Sequence, residues 1–461
     1  MANTNNSSSG LTARDKVSYA VGAVGKDMVY SLVAGFILYY YNTVLGISGT
    51  FTGVMMMAAR VFDAFNDPMM GIVVEKTHTK IGKFRPWILS GTVMNSLVLF
   101  GMFSVPENLK GSGLLVWATV AYFLWGMTYT VMDIPFWSMI PAITKTGTDR
   151  ENLSVIGRTA SSVGYAIPTV TTMLIVTRIG GSERAGFMFL AGVIAAVFVV
   201  TELVTFLGVK ERRVIKQDTP SVKEMFKSLF TNDQAMIVVV SIILFNASLY
   251  ITTQLALYFF KYDIGNSDLY SLFGTIGGAG QVLSMVSLPV LRKKWSSKSI
   301  LSGAIATTIF GYVLLFVLSS LSITNVILLG LCAFIIYIGF GLATVLTTIF
   351  LADTVDYGEW KNGKRNESVI FSMQTFVVKL ASAISVLVAG VGIDVIGLDT
   401  NAETQSASTI FGLRFIMIII PIVGLIAAIL YFRKKYQLTE ERNKEIAEEL
   451  RIRNEELGMR N

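Results

Sequence analysis

Apolar runs of about twenty residues alternate with short polar segments along almost the whole chain. An α-helix needs a run of that length to cross the roughly 30 Å hydrocarbon core of a bilayer. In the first half, the runs predict membrane spans at 17–46, 48–75, 86–105, 113–141, 154–177 and 186–208. In the second half, they predict spans at 234–262, 267–291, 299–320, 324–352, 369–397 and 411–432. We therefore expect an all-helical (all-α) membrane protein with twelve transmembrane helices.

The polar segment 209–233 divides the twelve predicted spans into two sets of six. We expect two six-helix bundles, at 17–208 and 234–432, with a binding site at their interface, because transporter folds are commonly built from repeated halves. Polar tails flank the bundles at 1–16 and 433–461. The central segment is interpreted as a linker that contains a short amphipathic helix.

The C-terminal tail has the charge spacing of a helix that lies outside lipid. Glu440 and Lys444 are four residues apart, so their opposite charges lie on one helix face, and a thin apolar stripe accompanies them. A soluble helix at 439–457 is one interpretation, and a partly disordered end is the other.

The composition supports the membrane class and argues against several kinds of site. Hydrophobic residues make up 53% of the chain and charged residues 15%, whereas charged residues average roughly a quarter of a soluble domain. The single cysteine, Cys332, and the single histidine, His78, leave no partners for a disulfide framework or a Cys/His metal cluster. His78 lies in a basic loop, where we expect a surface residue.

The formal net charge of +7 is interpreted as a signal of topology, so no nucleic-acid partner is expected. Most lysines and arginines fall in the N-terminal tail, alternate loops, the central segment and the C-terminal tail. Such an excess on one side is the positive-inside pattern, which predicts that both termini are cytoplasmic.

Charged residues also lie inside the predicted spans, where each costs at least about 2.5 kcal/mol. They include four cations and four carboxylates: Lys26, Asp27, Arg60, Asp63, Asp67, Asp133, Arg158 and Lys379. A charge at such a depth requires a partner, water or a function. The near balance of signs predicts that these side chains share an aqueous cavity.

A polar stripe on the second span suggests a cation site. Arg60, Asp63 and Asp67 are three and four residues apart, so they project from one helix face, and Asn66 flanks the lower pair. Carboxylate and amide oxygens suit a hard ion such as sodium. The alternative is a structural ion pair in which Arg60 neutralises one aspartate.

On the fourth span, an acid lies between two aromatic residues. Tyr129, Asp133 and Trp137 follow one another at intervals of four, and Thr130 lies on the same side. A carboxylate accepts hydrogen bonds from sugar hydroxyls, and an aromatic face packs on the apolar face of a pyranose. The alternative is an interfacial aromatic belt, although Asp133 lies too deep in the span for that.

Lys379 is the only charge predicted deep in the second half, and Gln374 and Thr375 lie one turn before it. It needs a counter-ion, and an aspartate of the first half is the candidate. A bond of that kind would be made and broken during alternating access, and a purely structural tether is the alternative.

Several of these stretches together resemble the glycoside-pentoside-hexuronide cation symporters over nearly the whole chain. The matching motifs are Gly25-Lys26-Asp27, Arg60-Val-Phe-Asp63-Ala-Phe-Asn66-Asp67-Pro68, Gly82-Lys83-Phe84-Arg85-Pro86-Trp87, Tyr129-Thr130-Val-Met-Asp133-Ile-Pro135-Phe-Trp137, Ala352-Asp353-Thr354-Val-Asp356-Tyr357-Gly358-Glu359 and Gln374-Thr375-Phe-Val-Val-Lys379. The resemblance implies a major-facilitator fold and sugar uptake driven by sodium, lithium or protons.

The resemblance also implies roles for individual residues. The cation would be bound by Asp63, Asn66, Asp67 and Thr130. A galactosyl group would be bound by Lys26, Asp27, Tyr129, Asp133, Trp137, Arg158, Gln374, Thr375 and Lys379. The chain departs from carriers of that family at Thr344, where they have a tryptophan, and at Ala34, where they have a tyrosine, so the pocket has lost aromatic wall.

Together with these patterns, the resemblance implies a galactoside symporter that works as a monomer in the bacterial plasma membrane, in contact with lipid, without a cofactor and without enzymatic activity. A proton-coupled pentoside or hexuronide symporter and a sugar sensor that does not transport remain alternatives. The glycine-rich stretch Gly274–Gly280 lacks the lysine and the preceding strand of a nucleotide loop. We expect it to serve helix packing.

Overall fold

The computed structural model describes residues 11–144, 148–179, 181–211, 230–363, 367–402 and 404–456, which contain helices and no strands. The helices of the first half are α1 (Ala13–Tyr39), α2 (Gly49–Glu75), α3 (Arg85–Phe103), α4 (Gly111–Ile143), α5 (Thr148–Val176) and α6 (Glu183–Gly208). Those of the second half are α7 (Asp233–Tyr258), α8 (Asp268–Leu291), α9 (Ser297–Ser320), α10 (Val326–Asn362), α11 (Glu367–Val395), α12 (Ala407–Arg414), α13 (Ile420–Lys435) and α14 (Glu440–Glu456). Short π-helical segments extend α1 (Tyr40–Val44) and α7 (Phe259–Asp263) and join α12 to α13 (Phe415–Ile419).

The prediction of an all-helical membrane protein is confirmed. Within the described residues, 11 helical segments are long and apolar enough to cross a membrane. α2 is a further helix of 27 residues that is not among them, and it carries the polar stripe from Arg60 to Asp67. The amphipathic helix predicted within 209–233 falls largely at 212–229, outside the described residues.

α10 is longer than its apolar run predicts, since it continues past residue 352 to Asn362. Its last turns are polar in sequence, but they pack against the start of α7. Asn232 Nδ2 donates to the Thr354 carbonyl at 2.8 Å, and a Cβ built on Gly358 would lie 2.7 Å from the same nitrogen. Tertiary packing therefore extends this helix beyond the span that hydropathy identifies.

The chain divides into two compact units. Unit 1 comprises Met1–Ile37 and Phe65–Asp218, and unit 2 comprises Leu38–Ala64 and Thr219–Asn461. The segment Leu38–Ala64, which the sequence analysis places in the first bundle, therefore groups with the second half of the chain. The bounds of this segment fall near the end of α1 and within α2.

In unit 1, close contacts of α1 with α6 depend on two glycines. A Cβ built on Gly22 would overlap Thr205 Oγ1, and one built on Gly25 would overlap Thr201 Oγ1. The Thr205 hydroxyl also donates to the Ser18 carbonyl at 2.9 Å. These contacts hold the turn of α1 that follows Gly25 against α6.

In unit 2, the start of α2 is bound by the end of α11. The Asp394 carboxylate accepts hydrogen bonds from the backbone nitrogens of Gly49 and Thr50 at 2.9 and 2.8 Å. Backbone packs on backbone beside this cap, because a Cβ built on Gly53 would lie 2.9 Å from the Val386 carbonyl oxygen and 3.3 Å from Gly390 Cα. An acid at a helix N-terminus also interacts favourably with the helix dipole.

The glycine-rich stretch of α8 serves helix packing, as predicted. Cβ atoms built on Gly277 and Gly280 would lie 2.6 Å from Tyr337 and 2.9 Å from Phe334, both on α10. His78 is exposed, and one of its ring nitrogens lies 3.0 Å from the Lys76 carbonyl oxygen.

The C-terminal tail forms the predicted helix, α14, and the disordered alternative is wrong for the described residues. Its apolar stripe is buried, with Ile446 1% and Leu450 7% exposed. Trp360 Nε1 donates to Glu449 at 2.5 Å, and Arg453 Nη2 donates to the Glu359 carbonyl at 3.2 Å. α14 is therefore packed on the end of α10.

Glu211, just beyond α6, caps the N-terminus of α3. Its carboxylate accepts hydrogen bonds from the backbone nitrogens of Lys83, Phe84 and Arg85 at 2.7, 2.8 and 3.1 Å. The chain reaches this cap through Gly82, whose φ is +120° and at which a Cβ would overlap the Glu211 carboxylate. The basic loop before α3 is thus anchored by one acid.

We expect Glu211→Gln to destabilise unit 1 by about 1–2 kcal/mol, because charge-assisted hydrogen bonds to orphan helix N–H groups are weakened. The thermal unfolding midpoint of the purified protein in detergent measures this effect. Glu107→Gln is the matched control, since Glu107 is an exposed loop acid. An equal midpoint for the two variants would contradict the capping role.

Candidate functional site

A buried lysine in unit 1 joins two of the predicted sugar-binding acids. Lys26 of α1 is 2% exposed. Its Nζ lies 2.7 Å from Asp133 Oδ1 on α4 and 3.0 Å from Asp27 Oδ2 on α1. A single ammonium therefore lies between two carboxylates and offsets part of their negative charge. Lys26, a predicted sugar ligand, is thus in contact with both acids in this structure.

Trp137 and Arg158 complete this cluster. Trp137 Nε1 donates to Asp133 Oδ1 at 3.1 Å, so this carboxylate oxygen accepts from both the indole and Lys26. The Arg158 guanidinium lies over the Trp137 ring, 4.1 Å from its centroid, although Arg158 itself is exposed. Two cations lie beside the Trp137 ring, Lys26 and Arg158. Lys26 is buried and Arg158 is exposed.

The cluster retains acceptors for a ligand. Within the described part of the chain, no hydrogen bond from protein reaches Asp133 Oδ2 or Asp27 Oδ1. The Asp133 side chain is 25% exposed and that of Asp27 16%. Two fixed, partly solvated carboxylate oxygens can accept hydrogen bonds from hydroxyl groups of a polar solute.

Tyr129 lines the same cluster through its ring. It packs on Trp125 with ring centroids 5.4 Å apart, and its hydroxyl donates a long hydrogen bond of 3.4 Å to the Lys26 carbonyl. The hydroxyl therefore faces the α1 backbone. Tyr129 is 9% exposed, and its ring belongs to an aromatic group beside the cluster.

The cation residues predicted in unit 1 meet at one contact. Thr130 of α4 donates a 3.0 Å hydrogen bond to Asp67 Oδ1 of α2. Both residues belong to unit 1, and Asp67 and Asn66 are half-buried. A carboxylate and a hydroxyl at this distance supply two oxygens of the type that a hard monovalent cation binds.

Asp63 belongs to unit 2, where two cations face it. Arg60 Nη1 lies 3.8 Å from Asp63 Oδ2, which is an ion pair but too long for a hydrogen bond. Lys379 of α11 is the second cation whose charge acts on this carboxylate. Asp63 and Lys379 both belong to unit 2, and a bond between Lys379 and an aspartate that is made and broken during alternating access stays a prediction.

The remaining predicted ligands, Gln374 and Thr375, lie on α11, and Thr344, where the related carriers have a tryptophan, lies on α10. Gln374 Nε2 donates to Thr348 Oγ1 at 2.9 Å, and the side chain of Thr375 is outside the described residues. Thr344 is half-buried, and its hydroxyl donates to the Phe340 carbonyl of its own helix at 2.7 Å. Thr344 stands where the related carriers have a tryptophan, so this position provides a polar side chain and no aromatic surface.

Glu202 of α6 is a functional candidate that the sequence analysis overlooks. It is fully buried, and neither carboxylate oxygen has a hydrogen-bond partner among the described residues. Glu202 is the only charged residue in the run 186–208. A single acid inside an apolar run is the signal that identifies it.

The chain is similar in sequence to known sugar transport proteins. A family model described as MFS/sugar transport protein matches residues 18–440. An isoprimeverose transporter of Lactiplantibacillus pentosus is 29% identical, with 89% of this chain and 86% of the relative covered. A lactose permease of Lactobacillus delbrueckii subsp. bulgaricus is 28% identical, with 94% and 72% covered. A raffinose carrier protein of Pediococcus pentosaceus is also 28% identical, with 94% and 71% covered.

Among solved structures, the nucleoside transporter NupG has a similar fold. Its TM-score is 0.64 at 15% sequence identity, with 92% of this chain and 100% of that chain covered. Identity at that level supports the major-facilitator fold and says nothing about the substrate. The matching family and these relatives are membrane transporters rather than enzymes.

Proposed function

The chain belongs to the family of MFS/sugar transport proteins, and on that premise we propose that it imports a galactoside such as melibiose together with a sodium, lithium or hydrogen ion. Sugar symport by a multi-pass inner-membrane protein follows from the family and its relatives. The galactosyl specificity and the coupling ion are the parts that we propose. Within the family, the motifs look most like those of melibiose permease.

The observation that carries the sugar proposal is the cluster of Lys26, Asp27, Asp133 and Trp137. Lys26 fixes both carboxylates, and each retains an oxygen free to accept a hydroxyl. Vicinal hydroxyls of a pyranose fit paired carboxylate acceptors, and a neighbouring indole supplies apolar contact. Lactose and raffinose, which name two relatives, both contain a galactosyl ring.

The coupling ion is proposed to bind at α2. Asp67 and Thr130 offer oxygens 3.0 Å apart, and Asp63 and Asn66 lie within one turn of Asp67 on the same helix. A bound cation would offset the negative charge of Asp63 and Asp67. The bound cation would thereby favour binding of the polar sugar. By reciprocal linkage, sugar must then tighten cation binding by the same factor.

Binding of a labelled galactoside at equilibrium, with and without sodium, tests the proposal. We expect sodium to raise the affinity about fivefold or more, within the usual range of coupling. Lithium and a shift to lower pH are the parallel arms for the other two ions. Equal affinities in all conditions would contradict ion coupling, and binding without accumulation in membrane vesicles would indicate a sensor.

Thr130→Val tests the cation site with a nearly isosteric change. We expect the sodium concentration for half-maximal stimulation to rise about tenfold, because the site loses either a ligand oxygen or the hydrogen bond that orients Asp67. Sugar affinity at saturating sodium is expected to stay within about twofold of the wild-type value. Thr119→Val is the matched control, since Thr119 is also on α4 and its hydroxyl bonds its own helix, at Leu115. The same shift in both variants would refute a role for Thr130.

The isoprimeverose relative favours one second candidate, a pentoside symporter. Isoprimeverose ends in a xylosyl ring, which lacks the hydroxymethyl group of galactose. Competition of unlabelled xylosides against the labelled galactoside distinguishes the two, and a xyloside that competes better than melibiose would favour the pentoside.

A further inference from the structure

We propose that Glu202 is a proton-binding site that controls sugar affinity through Lys26, an inference that rests on the sugar symport proposed above. The site lies in unit 1 where α6 meets α1 and α4. Its ligand is a hydrogen ion taken from water. Protonation forms one O–H bond on a carboxylate oxygen, deprotonation returns the proton to water, and no other covalent bond changes.

The burial of Glu202 is the first step of the argument. Its residue exposure is 0%, and both Oε1 and Oε2 are enclosed without a hydrogen-bond donor in the described structure. A Cβ built on Gly22 would lie 3.1 Å from Glu202 Oε2, so α1 backbone covers one side of the carboxyl group. An ionised carboxylate in such a place loses its hydration and gains no hydrogen bond in return.

The charges around Glu202 are the second step. Lys26 and Asp27 of α1 and Asp133 of α4 act on it, and they carry one positive and two negative charges. The next cation of the cluster, Arg158 of α5, is exposed and lies over Trp137. Lys26 is thus the only cation acting directly on Glu202 in the described cluster, and Asp133 and Asp27 already share it.

Other polar groups near α6 do not change this balance. Tyr19 of α1 and Tyr129 of α4 are neutral phenols that face Glu202. Towards the end of α6, Arg85 of α3 and Arg14 of α1 donate to the carbonyls of Phe206 and Leu207. Their guanidinium groups are therefore engaged with backbone rather than with the carboxyl group.

The consequence for sugar follows from Lys26. With Glu202 protonated, Lys26 holds Asp27 and Asp133 in the arrangement that leaves two oxygens for hydroxyls. With Glu202 ionised, a third carboxylate competes for the same ammonium, and Asp133 loses part of its anchoring. Because sugar favours the first arrangement, it must favour protonated Glu202, and sugar binding at alkaline pH must take up a proton.

Two measurements test the inference on the full-length protein. In infrared titration, wild-type protein shows a protonated-carboxyl carbonyl band at neutral pH that is absent from Glu202→Gln. In equilibrium binding of labelled melibiose, the affinity of wild-type protein falls about tenfold from neutral to alkaline pH, within the usual range of coupling. Glu202→Gln, which mimics the protonated acid, keeps its neutral-pH affinity in both buffers. Glu183→Gln on the same helix is the control and behaves as wild type.

Opposite outcomes would overturn the inference. These are an unchanged infrared band in Glu202→Gln, or the same alkaline loss of affinity in Glu202→Gln as in wild type. If Glu202→Gln does not fold, proton uptake by wild-type protein on melibiose binding at alkaline pH decides, and its absence refutes the inference. If wild-type protein binds no galactoside at any pH, the proposed function fails, while the infrared titration still reports whether Glu202 holds a proton.

Discussion

Lys26→Met is expected to reduce galactoside affinity by roughly 100-fold or more. Lys26 is 2% exposed and contacts two carboxylates at 2.7 and 3.0 Å, and loss of one partner from a buried ion pair costs about 3–5 kcal/mol. Without the ammonium, Asp27 and Asp133 lose their shared counter-ion and repel each other, so the paired arrangement of the two carboxylates is lost. The hydroxyls of the sugar then lose their best partners.

Equilibrium binding of labelled melibiose at saturating sodium measures this effect. Lys16→Met is the matched control, because it removes the same charge from the same helix outside the cluster. The unfolding midpoint of each variant separates lost binding from lost folding. Wild-type affinity in a folded Lys26→Met protein would show that Lys26 does not organise the site.

Asp63→Asn is expected to abolish sodium stimulation of transport while leaving measurable galactoside binding. The carboxylate faces Arg60 and Lys379, and its neutral amide can neither balance these cations nor offer a charged oxygen to sodium. The sugar cluster of unit 1 contains none of these three residues. Sodium-driven uptake into vesicles and sugar binding on the same preparation give the two readouts.

A double variant decides between the two interpretations of Asp63. If Asp63 serves only as the ion-pair partner of Arg60, Arg60→Gln combined with Asp63→Asn removes both charges and sodium stimulation returns. If Asp63 is a cation ligand, the double variant stays unresponsive to sodium. Loss of sugar binding in both variants would instead point to a folding defect, which the unfolding midpoint detects.

The helices could be predicted from sequence because each span must be a continuous apolar run, and the bounds differ by only a few residues in most cases. The end of α10 could not, since its last turns are polar and owe their helical form to packing on Asn232. The assignment of Leu38–Ala64 to unit 2 likewise depends on Gly53, Gly390 and Asp394 approaching one another from distant parts of the chain.

The acids of the site were recognisable as charges at membrane depth, and their spacing separated a cation group from a sugar group. Their pairing was not predictable, because the contact of Lys26 with Asp133 joins residues 107 positions apart. From sequence, Glu202 could be recognised only as an isolated acid in a predicted span, without its role in the cluster. It has no neighbouring acid or base in sequence, and only the fold brings it to the cluster.

The contact between the start of α2 and the end of α11 has a mechanical consequence. At Gly53 and Gly390 the facing surfaces are backbone, so no side chain is interposed at these two positions. Separation of the two helices would therefore require no change of rotamer at these positions. It would break the hydrogen bonds to a single carboxylate, Asp394, and the same carboxylate would restore the original register when the helices met again.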